Sequence, residues 1–316
     1  MQPGARSHAH FGRVALEHVR RLGLIVIWAV FYSQESTFLS SFNLTNLALQ
    51  ISAVGIMSIG VVFVLLLGEI DLSIGSVSGL AAAVCVVANL DAGISGWLSI
   101  IIGLGVGAGI GLSQGLIITV FRVPSFIVTL AGLIGWQGVL LYVLGEGGTR
   151  NLPDSQIRAL TDTFFSTAAA WTIGIVLIGL MIASDHLSRF RRMRAGLVTE
   201  PIVSLIIKEV IVGAAAIAAI AVFTQDRGLP LAVLILLALV VIFDLVARRT
   251  PFGRHVFAVG GNPEAARRAG INVARIRVIV FVMSGAFAAA GGIMFASRLL
   301  AVNQASGSGS TLLLAI

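Results

Sequence analysis

The chain has 316 residues, 57% of them hydrophobic and only 11% charged. Soluble domains carry roughly 25% charged residues, so lipid must solvate most of this apolar surface and a single soluble domain is excluded. The net charge of +7 does not point to nucleic acid, because the arginines lie between apolar runs, where membrane topology collects them.

Residues 1–21 read as a basic tail with Arg6, Arg13, Arg20 and Arg21. No cleavage site of the A-x-A type follows, so the next apolar run reads as a first span rather than a removed signal. A bilayer core of about 30 Å needs roughly 20 apolar helical residues. On that rule spans fall near 22–40, 45–67, 72–90, 97–120, 124–144, 168–184, 202–223, 230–247 and 276–297. The expected fold is therefore all-α, a polytopic transmembrane bundle of about nine spans. It occupies residues 22–316 and carries one large basic loop at 248–275.

The arginines orient this bundle. With the N-terminus in the cytoplasm, Arg122, the group Arg189–Arg194 and the group Arg248–Arg277 all fall inside. Arg150, Arg158, Arg227 and Arg298 remain outside. That bias is the positive-inside pattern. Gly103, Gly107, Gly111 and Gly115 recur at steps of four and predict a helix face that admits another backbone closely.

Several chemistries are missing from the sequence. One cysteine, Cys85, forms no internal disulfide, and no His or Cys spacing holds a metal. The single lysine, Lys208, lies in no phosphate loop, so ATP binding through that motif is excluded. No cofactor is implied. No helix centre carries an ionisable pair, and the middle of the membrane reads as nearly free of charge. A proton-coupled carrier needs such groups, so energy is expected to arrive through a loop.

Within 248–275, Asn262 suits an N-cap, Pro263 a first helical position and Gly270 a stop. A helix of about two turns results, too short to stand alone and expected to serve as a docking element. Residues 68–76 join two spans, and Asp71 is placed to cap a helix beginning at Leu72. Glu69, Asp71 and Ser73 there read either as the border of a path or gate, or as a capped turn.

Three segments then carry a resemblance. Glu264-Ala265-Ala266, three residues and Gly270 resemble the EAA…G signature of permease subunits of ATP-binding-cassette importers. Gly68-Glu69-Ile70-Asp71-Leu72-Ser73-Ile74-Gly75-Ser76 is similar to a GGIDLS-x-GS segment of bacterial sugar permeases, with Glu69 in place of a usual Gly. Arg122-Val123-Pro124-Ser125-Phe126 is similar to a third segment of the ribose/xylose branch. The resemblance runs from about residue 45 to the end. The arginine-rich 189–194 loop with the span at 202–223 tilts it toward xylose permeases.

The resemblance implies a non-catalytic subunit of a bacterial inner membrane that pairs with itself, with an ATP-binding subunit and with a periplasmic sugar-binding protein. It implies ATPase coupling through Asn262, Glu264, Ala265, Ala266, Arg267 and Gly270. It places a translocation path or gate at Gly68, Glu69, Asp71, Ser73, Gly75, Pro124 and Phe126. That family continues beyond a segment like 312–316, so the chain reads as shorter than its relatives. The alternatives are a permease of the same superfamily for branched-chain amino acids or nucleosides, a secondary transporter, or an integral membrane enzyme.

Overall fold

The computed structural model describes residues 23, 26–152, 156–199, 201–308 and 315. The basic tail, the start of the first expected span and most of the last apolar run lie outside these. Residues 26–34 are helical and form α1. The chain then builds α2 (Ser41–Leu66), α3 (Ile74–Leu90), α4 (Gly96–Val120), α5 (Ser125–Leu144) and a single turn, α6 (Ala159–Asp162). After these come α7 (Thr167–Arg194), α8 (Ile202–Gln225), α9 (Leu231–Arg249), α10 (Pro251–Gly261), α11 (Pro263–Arg268) and α12 (Val273–Leu299).

Among the described residues, seven helices are long and apolar enough to cross a membrane: α2, α4, α5, α7, α8, α9 and α12. The expected nine is therefore approximate. α3 is apolar but has only 17 residues. The described part of the first expected span is helical at residue 23 and over 26–34 and has left the helix by residue 35. α7 also runs further than its apolar stretch and ends at Arg194, so the arginines at 189–194 belong to a helix end rather than a loop.

The core sits where α12 passes between α2, α3 and α4. Packing there is set by glycine. A Cβ at Gly107 would fall on the carbonyl oxygen of Gly285, and one at Gly111 on that of Phe281. Gly285 in turn faces the carbonyl oxygen of Gly107. The steps-of-four face of α4 is thus a backbone-to-backbone seam with α12. Association inside lipid relies on such contact, because hydrophobic driving force between helices is absent.

Two short antiparallel pairings close one end of the bundle. β1 (Thr149–Asn151) pairs with β4 (Ala301–Asn303), and β2 (Phe164–Phe165) pairs with β3 (Leu229–Pro230). The first ties the C-terminal side of α5 to that of α12, opposite the face where those helices begin, and the second joins the segments that lead into α7 and α9.

Candidate functional site

The connection between α2 and α3 is not a surface turn. α2 stops because Gly68 adopts φ +74 and the amide of Glu69 reaches back to the carbonyl of Val64 at 3.2 Å, the six-to-one bond of a glycine-terminated helix. The chain then runs without helix until Ile74. Expectation placed the first helical residue at Leu72 behind an Asp71 cap. The observed N-cap is Ser73, and Asp71 instead accepts from the Ser73 amide at 2.9 Å.

This segment lies inside the bundle. The Ile70 amide donates to Ser125 Oγ at 3.3 Å, and Thr129 Oγ1 donates to the Ile70 carbonyl at 3.2 Å. Asp71 is 7% exposed. Its Oδ1 accepts from Ser73 Oγ at 2.7 Å and its Oδ2 from Ser284 Oγ at 2.9 Å. Gln114 Nε2 donates to Ser73 Oγ at 2.9 Å. Gln114 is six residues from the end of α4 and Ser284 eleven from the start of α12. At 1.5 Å per residue the cluster is roughly 9–16 Å below those helix ends. Irregular backbone at such depth is tolerated only where it is buried in protein or lines a cavity, and Ser125 and Thr129 supply the partners here.

The expectation of a nearly charge-free membrane interior is corrected by Asp71. The break after Leu66 folds 67–73 back into the bundle, so a residue that looks like a loop acid in sequence becomes an interior one. Among the described residues its carboxylate meets hydroxyls and an amide, not a guanidinium.

The other residues expected at a path or gate divide into two groups. Glu69 pairs with Arg277 at 2.9 Å, Gly68 supplies the stop, and Pro124 caps α5 beside Ser125. Gly75 is buried, and a Cβ on Gly307 would fall on its carbonyl oxygen. Phe126 stands apart from these: it is 49% exposed on the outer side of α5. Gln114 and Ser284 were not singled out from sequence. The available signal was a glutamine on the glycine face of α4, three residues after Gly111.

The loop at 248–275 holds two helices, not one. α10 starts at a Thr250 cap, whose Oγ1 accepts from the Gly253 amide at 3.2 Å. Gly260 lets its end touch α2, because a Cβ there would fall on the carbonyl oxygen of Leu66. α11 follows at once. Asn262 Oδ1 accepts from the amides of Glu264 at 3.0 Å and Ala265 at 2.9 Å. Gly270, at φ +83, ends it, with the Ile271 amide bonded to the Ala266 carbonyl at 3.0 Å. Ala266 is 4% exposed and seats α11 on Val256, Val259, Val273 and Ile276. Asn262, Glu264, Ala265, Arg267 and Gly270 are exposed, and Glu264 is tied to Arg267 at 2.8 Å. α11 thus presents a small polar and basic face to the outside. Its other side rests on a bundle end that leads through α10 to the Gly68 break.

The family described as "Branched-chain amino acid transport system / permease component" matches residues 43–316. The xylose transport system permease protein XylH of Escherichia coli (strain K12) is 32% identical over 277 residues, 88% of this chain and 70% of that protein. The L-arabinose transport system permease protein AraH of the same strain is 28% identical over 299 residues, covering 93% and 70%. The ribose import permease protein RbsC of Haemophilus influenzae is 25% identical over 309 residues, covering 97% and 77%. No solved structure matches the chain.

Proposed function

The chain belongs to the permease-component family of branched-chain amino acid transport systems, and on that premise we propose that it is the membrane subunit of an ATP-driven sugar importer. Xylose or another pentose is the proposed cargo, since xylose, arabinose and ribose permeases are among its relatives. The observation that carries the reading is α11: a capped six-residue helix with one buried alanine and an exposed face, seated beside the α2–α3 break.

In this reading the bundle sits in a bacterial inner membrane with its N-terminus and the arginine-rich face in the cytoplasm. Two copies form the path, and a periplasmic binding protein delivers the sugar. ATP-binding subunits grip Asn262, Glu264, Ala265, Arg267 and Gly270. Movement of α11 passes to α10 and, where Gly260 meets Leu66, to the segment carrying Gly68, Glu69, Asp71 and Ser73. Pro124 and Gly75 hold that segment in place. Phe126 on the exposed side of α5 faces the second copy or lipid.

The test is coupled uptake in proteoliposomes holding this chain, its ATP-binding subunit and a xylose-loaded binding protein. Glu264→Ala and Gly270→Val are expected to abolish uptake while ATP hydrolysis by the free ATPase persists. Coupled transport by both variants refutes the docking role. Buried Asp71 favours one rival, a proton-coupled carrier. Uptake that collapses with an uncoupler while ATP remains would establish the rival instead.

A further inference from the structure

A cavity of about 400 Å³ opens at the arginine-rich face, between the α4–α5 turn, α11 and the start of α12. Its charged lining is Arg122, Arg267, Arg277 and Glu69, which come from four separate places in the chain. Glu69 is taken by Arg277 at 2.9 Å, and Arg267 is shared with Glu264 at 2.8 Å. The lining itself sets three guanidiniums against the one carboxylate of Glu69, a formal excess of two positive charges; Glu264 stands outside it and is also 3.6 Å from Arg268. Arg122 has no acidic partner among the described residues. The Nε–H of Arg277 is buried without an acceptor.

Two further features bias the cavity toward anions. α5 and α12 both begin at its wall, with Pro124, Ser125, Val273 and Ala274 among the lining residues. Helix N-termini carry partial positive charge and unpaired amides. Arg122 also holds its place at φ 56, a left-handed conformation that favours glycine or asparagine and disfavours a long side chain. Positive-inside bias accounts for arginines near this face. It does not account for their convergence on one cavity.

We propose that this cavity binds a phosphate group, through a guanidinium fork from Arg122 and donors from Arg277 and Arg267. A volume of about 400 Å³ exceeds what a single side-chain carboxylate fills, and guanidinium forks match phosphate oxygens in pairs. Two sources share this chemistry: the headgroup of an anionic phospholipid and a soluble phosphate. Either would bridge α11 to the α4–α5 turn and to Arg277, the partner of Glu69. The site stands on charge and geometry alone and does not depend on what the chain transports.

The test uses the full chain in a neutral detergent. In the soluble arm, the unfolding midpoint is followed against inorganic phosphate, with sodium chloride at matched ionic strength as reference. In the lipid arm, phosphatidylglycerol or phosphatidylcholine is added and retained lipid is counted by native mass spectrometry. A saturable effect of phosphate beyond chloride assigns the soluble source. Selective retention of phosphatidylglycerol assigns the lipid source.

Arg122→Gly suits the φ of that position and removes the charge without straining the fold. It is expected to weaken whichever binding is seen by roughly tenfold or more. Arg227→Gln, on the opposite face, is expected to leave the phosphate-dependent shift and the lipid retention as in the parent, whatever it does to the midpoint itself. The proposal is overturned if neither arm shows binding by the parent chain. It is equally overturned if Arg122→Gly binds as the parent does while retaining its helical content.

Discussion

Ser284→Ala tests the polar cluster that anchors the α2–α3 break. Ser284 is fully buried and donates to Asp71 Oδ2 at 2.9 Å. The substitution leaves Oδ1 with both Ser73 donors but strips Oδ2 of the Ser284 hydroxyl. A hydrogen bond to a charged acceptor contributes about 1.5–3 kcal/mol in soluble proteins. Interhelical polar bonds in membrane proteins average nearer 0.6 kcal/mol and reach about 1.7. Because Asp71 is buried, we expect a loss near the upper membrane figure, about 1.5 kcal/mol. The assay is reversible unfolding of the purified chain in mixed micelles of increasing dodecyl sulfate fraction. Ser58→Ala is the control, since Ser58 Oγ donates only to the carbonyl of Val54 in its own helix, and its change should stay within about 0.5 kcal/mol. A loss below about 0.5 kcal/mol for Ser284→Ala refutes the view that this bond holds the broken segment. A double-mutant cycle with Asp71→Asn should return a coupling of about 1 kcal/mol.

Two further outcomes follow from the packing and the caps. Gly111→Ala places a methyl on the Phe281 carbonyl and should cost about 2–3 kcal/mol, whereas Gly109→Ala meets open space and should be neutral or slightly stabilising; equal unfolding curves for the two would contradict the seam. Asn262→Ala removes the acceptor of two α11 amides at about 1 kcal/mol, so exchange of the Glu264 and Ala265 amides should quicken roughly fivefold, and unchanged exchange would show that tertiary contact alone holds α11.

Much of the architecture was readable in hydropathy, because eight expected spans correspond to apolar helices that differ mainly at their ends. α11 was readable too, since Asn262, Pro263 and Gly270 signal locally. α10 was not. Gly253, Gly260 and Gly261 look like helix breakers, but Gly253 and Gly260 are needed because the backbones of Ala247 and Leu66 approach them closely. The depth of 67–73 was equally hidden. A glutamate and an aspartate between two apolar runs look like a surface turn. What draws the segment inward are Ser125, Thr129, Gln114 and Ser284, the partners of Ile70, Asp71 and Ser73, which lie 41 to 213 residues away in sequence. Hydropathy windows are blind to such partners, and the charge pattern places only the loops.

The central position of α12 also sets a timetable for biogenesis. Ser284 leaves the ribosome 213 residues after Asp71, an interval of about 10–40 s at ordinary synthesis rates. Throughout it, α2, α3 and α4 lack the helix that fills the space between them, and the glycine face of α4 has nothing to close upon. The insertion machinery must therefore hold a carboxylate-bearing, half-built bundle away from lipid until the last described span arrives. A ribosome stalled before α12 would leave the polar interior open to capture by quality-control proteases.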